Sequence, residues 1–173
     1  LGVTPGLGGV SRLILIFLMY FGRVGGLTLI YAVLPGPDYA GALLFFFANG
    51  KAARVDLTAY KTTSNRRKLT GAYSDKAPLA CIRRLDTDCE LAVYSTEPRA
   101  LIFHTALLAP KTTRTTQGVA VMTLKPKYQL ETVKALEDTP ITNQSRYRVR
   151  SLPAAGALLR EEDSEERQMD LLD

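Results

Sequence analysis

The chain has 173 residues, 46% hydrophobic and 23% charged, and its net charge of +5 describes no part of it well. Residues 1–34 carry only Arg12 and Arg23, residues 35–160 hold 19 Lys and Arg against 10 Asp and Glu, and residues 161–173 hold seven acids and one Arg. Cys81, Cys89 and the single His104 make neither a disulfide framework nor a zinc set, so the expectation is two reduced, partly buried thiols, no metal and no cofactor.

The first element is hydrophobic. "LILIFLMYFGRVGGLTLIYAVL", Leu13 to Leu34, is apolar apart from Arg23 and a few small or weakly polar residues. As a helix it would extend roughly 33 Å, close to the ~30 Å hydrocarbon thickness of a bilayer. It is too long for a signal peptide and lacks a cleavage pattern after it. Residues 1–34 are therefore read as a transmembrane-type α-helix, with residues 10–34 in the membrane. An arginine at mid-membrane costs at least ~2.5 kcal/mol on insertion scales, so Arg23 should face protein or water. Gly22, Gly25 and Gly26 would let a second helix approach, which points to one element of a larger bundle. The chain begins at Leu1 and not Met, and we expect a fragment whose own start is missing.

"GVTPGLGGVSRLILIFLMYFGRVGGLTLIYA" resembles the last pore-repeat helix of Trk/Ktr-type potassium transporters, with "GRVGGLTL" (Gly22–Leu29) the most specific part. The resemblance implies a pore-gate-like place for Arg23, with the bilayer or other transporter helices as its neighbours. It covers about 33 residues and lacks the three earlier repeats and the filter glycine, so no potassium pathway is expected from this chain.

Residues 35–41 ("PGPDYAG") form a Pro/Gly linker that ends helical structure. Strand signals dominate afterwards: "LLFFF" (Leu43–Phe47), "ALIFHTALL" (Ala100–Leu108) and "GVAVMTL" (Gly118–Leu124). The segment also repeats itself. "LLFFFANGKAARVDL" from Leu43 is echoed by "LAVYSTEPRALIFHT" from Leu91, and "KTTSNRRKL" from Lys61 by "KTTRTTQGV" from Lys111. Each unit reads as two strands around a turn, a basic threonine-rich loop, then further strand. About four strands in 48–50 residues is the spacing of a propeller-like blade. The predicted fold is mainly β, a partial array of about two blades over residues 42–160, with edge strands needing cover.

"LLFFFANGKAARVDLTAYKTTSNRRKLTGAYSDKAPL" and "RALIFHTALLAPKTTRTTQGVAVMTLK" resemble the C-terminal region of bacterial type IIA topoisomerase A subunits, of topoisomerase IV and of DNA gyrase. The match runs from about residue 41 to 162. It implies a β-pinwheel that binds duplex DNA along a basic rim, cytoplasmic for residues 37–173, with the remaining topoisomerase subunits as further partners. No clear glycine- and arginine-rich box of the QRRGGKG kind is present, and "TTRTTQGV" is at best a degenerate relative. That departure favours a topoisomerase IV-like or divergent domain.

The loops offer phosphate chemistry. Guanidinium, ammonium and hydroxyl groups donate to phosphate oxygens and position DNA without reading its sequence. The expected contacts are Lys61, Arg66, Arg67, Lys68, Lys76, Lys111, Thr112, Thr113 and Arg114, at successive points along one rim. "RYRVR" (Arg146–Arg150) reads as a strand with three basic residues on one face. His104 is expected as a packed or hydrogen-bonded residue of its strand, and no base–nucleophile–orienter set can be nominated around it, so the chain is read as non-catalytic. The tail, residues 161–173, reads as a flexible end that could compete with DNA for the basic rim. Two alternatives stand beside the DNA-binding module: a membrane-embedded transporter fragment, and a composite chain joining two genes.

Overall fold

The computed structural model describes residues 39–61 and 71–163. The expected membrane helix with Arg23, the cluster Arg66, Arg67 and Lys68, and residues 164–173 of the expected tail lie outside the described residues, whereas the first three tail residues, Glu161–Asp163, form a 3-10 turn with Asp163 buried. Among the described residues, no helix is long and apolar enough to cross a membrane.

The first unit contributes β1 (Ala42–Phe47), β2 (Lys51–Asp56) and β3 (Leu79–Leu85). The second contributes β4 (Glu90–Ser95), β5 (Arg99–His104), the short β6 (Pro110–Lys111) and β7 (Val119–Ala120), and β8 (Leu130–Ala135). A last short strand, β9 (Ala157–Leu158), follows. The β1–β2 and β4–β5 hairpins are antiparallel, and β3 and β8 pair antiparallel with the free sides of β1 and β4. The sequence repeat of 48 residues is kept to the level of irregularity. The register shift between Phe46 and Phe47 recurs between Tyr94 and Ser95.

β1 is buried at all six positions, which is why "ALLFFF" shows no polar alternation. Its two faces serve different layers. Leu44, Phe46 and Ala52 pack with Leu91, Val93, Leu101 and Phe103 of the second sheet in the core between the sheets, the Phe46 and Phe103 rings meeting edge-on at 6.5 Å. Leu43, Phe45, Phe47 and Val55 point the other way, under Leu57, Tyr60, Ala72 and Tyr73. The far face of the second sheet, with Ala92, Tyr94, Ala100 and Ile102, is covered by Ile141 and Tyr147.

Adding 48 to Leu43, Phe45 and Val55 gives Leu91, Val93 and Phe103. The face that the second sheet turns toward the first is thus the face that the first turns away. The sheets are stacked head to tail, as in a repeat array, and not as a symmetric sandwich.

Several sequence expectations change. Neither sheet is built from one contiguous unit: β6 and β7 belong to the second unit but pair with β2, completing a five-stranded first sheet, and β9 completes the second beside β5. "GVAVMTL" yields only the two-residue β7 and a bridge from Met122 to Ala154. "ALIFHTALL" stops as a strand at His104, whose Nδ1 accepts the Ala106 N–H and starts a 3-10 turn at Thr105–Leu107. His104 is hydrogen-bonded, as expected, but exposed and not packed. "RYRVR" is not a strand face. Gln144–Tyr147 form a single helical turn with Tyr147 buried, and Arg148 makes a bidentate pair with Glu90 at 2.7 and 2.8 Å. Cys81 is half-buried and Cys89 exposed.

Candidate nucleic-acid interface

The second KTT stretch begins where β6 leaves the core. Pro110 and Lys111 run parallel to Arg54 and Val55; Val119 and Ala120 return antiparallel to Ala52 and Lys51. Residues 112–118 therefore form an excursion off the edge of β2, tethered at both ends by backbone pairing. Gly118 sets the return, with φ of 70°, and a Cβ there would lie 1.9 Å from the Ala52 carbonyl oxygen. Only glycine permits so close a backbone approach.

The same construction recurs on the second sheet, where the sequence shows almost no sign of it. Arg148 bridges Ile102 in parallel, and Ala157 and Leu158 return antiparallel to Ala100 and Arg99. Gly156 has the same φ of 70°, and a Cβ there would lie 2.7 Å from the Ala100 carbonyl oxygen. The acceptor positions are 48 residues apart and the excursions 38 apart, so Lys111 corresponds to Val149, Thr112 to Arg150 and Thr113 to Ser151. Apart from the glycine, little in "PKTTRTTQGVA" resembles "RVRSLPAAGAL", so the signal that could have found it was that glycine plus the strand pattern of the preceding hairpin.

Of the residues chosen from sequence, Lys61, Lys111, Thr112 and Thr113 are exposed. Ion pairs among the described residues leave Lys61, Lys111, Arg146 and Arg150 unpaired, whereas Arg54, Arg84, Arg99, Lys125, Arg148 and Arg160 each meet a carboxylate. Arg114 is half-buried, its guanidinium 6.0 Å from the centroid of the Tyr60 ring. Tyr60 directly precedes Lys61, and a Cβ on Gly71 would touch Thr115 at 3.5 Å. Tyr60 and Gly71, which flank the first KTT stretch, thus both lie beside the second, at Arg114 and Thr115. Lys76 is not part of this group. It is exposed in the segment that crosses the first sheet's outer face and rejoins it where Ala48 donates to the Pro78 carbonyl, at the hairpin-turn end.

Burial pushes the Tyr60 hydroxyl pKa well above its ordinary value, against an opposing pull from Arg114. Tyr60 therefore stays protonated and donates to the Ala72 carbonyl at 2.8 Å. Among the described residues, no cluster of His, Cys, Asp and Glu could hold a metal ion. What the edge can do chemically is donate hydrogen bonds and present positive charge to an extended anion.

No family model matches the chain, and no curated protein is similar to it. Solved structures are. The crystal structure of the C-terminal domain of DNA topoisomerase IV is similar at 23% identity and a TM-score of 0.53, over 62% of this chain and 34% of that one. The DNA gyrase A C-terminal domain is similar at 21% identity and a TM-score of 0.55, over 73% of this chain and 47% of that one. The chain spans between a third and a half of the length of those solved domains. At these identities the likeness establishes the fold: mainly β, built like the C-terminal domains of topoisomerase IV and gyrase A.

Proposed function

We propose that residues 42–160 are a non-catalytic module that binds duplex DNA through its phosphates, as part of a topoisomerase IV or gyrase A-type subunit. The observation that carries this reading is the repeated excursion. Two adjacent sheets hold a tethered loop at the same register of the same edge, and each loop presents unpaired donors, Lys111, Thr112 and Thr113 on the first and Arg150 and Ser151 on the second. Lys61 and Arg114 join the first group, and Arg146 lies in the turn just before the second excursion. Arg66, Arg67 and Lys68 stay in the proposal on sequence grounds, and Lys76 as a separate contact. Phosphates recur along duplex DNA at one charge per ~1.7 Å of axis, so a row of fixed cations can follow the backbone without reading bases. The tail after Asp163 would compete for the same cations.

The test is a salt titration of the full chain on duplexes of unrelated sequence. If four to six phosphates are neutralised, log K against log[salt] falls with a slope of roughly −4 to −5, because each contact contributes ~0.9. Replacing Lys111, Arg146 and Arg150 by Gln flattens the slope. The partnered Lys125→Gln is the control. Binding that ignores salt, or loses as much with Lys125→Gln as with the triple variant, overturns the reading.

A further inference from the structure

The contact between Arg114 and Tyr60 has a counterpart in the second unit. The 48-residue offset of the hairpins carries Tyr60 to Leu108, and the 38-residue offset of the excursions carries Arg114 to Leu152. Both leucines belong to the apolar cluster between the sheets, Leu108 fully buried and Leu152 partly so. The fold therefore accepts two leucines at this junction and uses them once. A half-buried guanidinium gives up hydration that a leucine never had, so packing alone does not account for an arginine here.

Tyr60 is built to hold that arginine. Its side chain is only 1% exposed, and its hydroxyl is fixed by the 2.8 Å bond to the Ala72 carbonyl, so the ring cannot swing away. The ring face then meets the Arg114 guanidinium, the geometry of a cation–π contact. No carboxylate pairs with Arg114 among the described residues, and its charge is left for a ligand. Lys111 and Thr112 leave β6 three and two residues before it.

We propose that Tyr60 is a positioning residue: its ring pre-orders Arg114 as a fixed phosphate-binding cation at the base of the first excursion, a specialisation that the second unit lacks. The proposal rests on the DNA-binding reading and deepens it. An arginine ordered before binding loses less rotamer freedom when a phosphate arrives.

The experiment uses the full chain, a duplex of arbitrary sequence and the second unit's own residues as substitutions. Arg114→Leu lowers the salt slope by ~0.9. Tyr60→Leu weakens binding by about two- to tenfold, the range for ordering one long side chain, and has no further effect in the Arg114→Leu background. Tyr60→Phe, which keeps the ring, recovers most of the loss seen with Leu. Equal losses from Tyr60→Leu with and without Arg114, or a Tyr60→Phe defect as large as that of Tyr60→Leu, overturn the positioning role. Should Tyr60→Leu unfold, the Arg114 side-chain N–H resonance of the unsubstituted chain, assigned by its loss in Arg114→Leu, decides: a ring-current shift that persists in Tyr60→Phe supports the stacking, and an unshifted resonance overturns it. Lys111→Gln separates the two levels. If it flattens the slope while Tyr60 and Arg114 act independently, only the positioning role fails; if the unsubstituted chain does not bind duplex, the DNA-binding reading fails with it.

Discussion

The two units share a hairpin geometry to the residue, yet they finish differently. The first carries its excursion-forming partner strands from the second unit, and its edge is polar and cationic, with Arg114 over Tyr60. The second receives its partners from residues 148–158, and its corresponding junction is a pair of leucines. Between β8 and that segment, a hairpin like those of the first two units would be due. Residues 136–147 supply a 3-10 turn and one helical turn instead, which lay Ile141 and Tyr147 over Ala92, Tyr94 and Ile102. The difference teaches that the repeat is kept where one sheet must dock on the next and abandoned where a face is capped. Repeat arrays need such atypical ends because an unpaired apolar face cannot be left in water.

Corresponding residues give the sharpest way to break this comparison. Phe46 and Tyr94 are 48 residues apart, but Phe46 lies between the sheets and Tyr94 under the cap. Phe46→Ala should cost about 3–5 kcal/mol, the usual range for emptying a buried aromatic site. Tyr94→Phe, which loses only the hydroxyl contact with Thr139, should cost about 0.5–1.5 kcal/mol. Equal losses in urea denaturation would mean that the two faces are not the distinct layers described.

The cap should also be the acid-sensitive end. Burial of Asp163 would raise its carboxyl pKa, but the Thr142 N–H and hydroxyl, the Tyr147 hydroxyl and the Asn143 N–H outweigh that and hold it below the ordinary value. A depressed folded-state pKa stabilises above the unfolded-state value of about 4 and loses that stabilisation as pH falls through the folded-state value. Asp163→Ala should cost roughly 1–3 kcal/mol at pH 7 by stranding those donors. The deficit against the unsubstituted chain should shrink in thermal melts below pH 4, and a pH-independent deficit would count against the carboxylate's role.

The two excursion glycines rank next. Gly118→Ala should destabilise by more than about 1 kcal/mol, since its φ is positive and a backbone oxygen fills the space. Gly156→Ala should cost less, because its closest backbone approach is longer. The reverse order would say that the second excursion is the more tightly held.

The smallest effect belongs to the Glu90–Arg148 pair, which the first unit replaces with Ala42 and Pro110. It is exposed enough that Glu90→Gln should cost under about 1 kcal/mol. The same change frees Arg148 and should steepen the salt dependence of DNA binding; an unchanged slope would confine Arg148 to a structural role.

Much of the architecture was legible in the chain. The hairpins, their turns at "ANGK" and "TEPR" and the 48-residue period follow from short apolar runs interrupted by turn residues, and these are local signals; the structure gives the last residue of each turn, Lys51 and Arg99, to the following strand. The polar excursion at Lys111 was visible for the same reason, since "KTTRTT" has no apolar side chain to bury. Tyr60 carries no such local signal, because its contact is with Arg114, 54 positions later. Arg150 lay within a stretch read as a strand, and only the pairing of Ala157 and Leu158 with β5 turns that stretch into a second excursion.

The sequence by itself determined the strands, the repeat and the positive charge of residues 35–160, because periodicity, turn chemistry and ionisation are properties of neighbours along the chain. Tertiary structure decided which unit completes which sheet, which face of β1 meets β4 and β5, and which cations are left unpaired. Those depend on contacts between residues tens of positions apart, such as Gly118 on Ala52 and Arg148 on Glu90, and a strand's alternation is the same whichever of its two faces finds a partner.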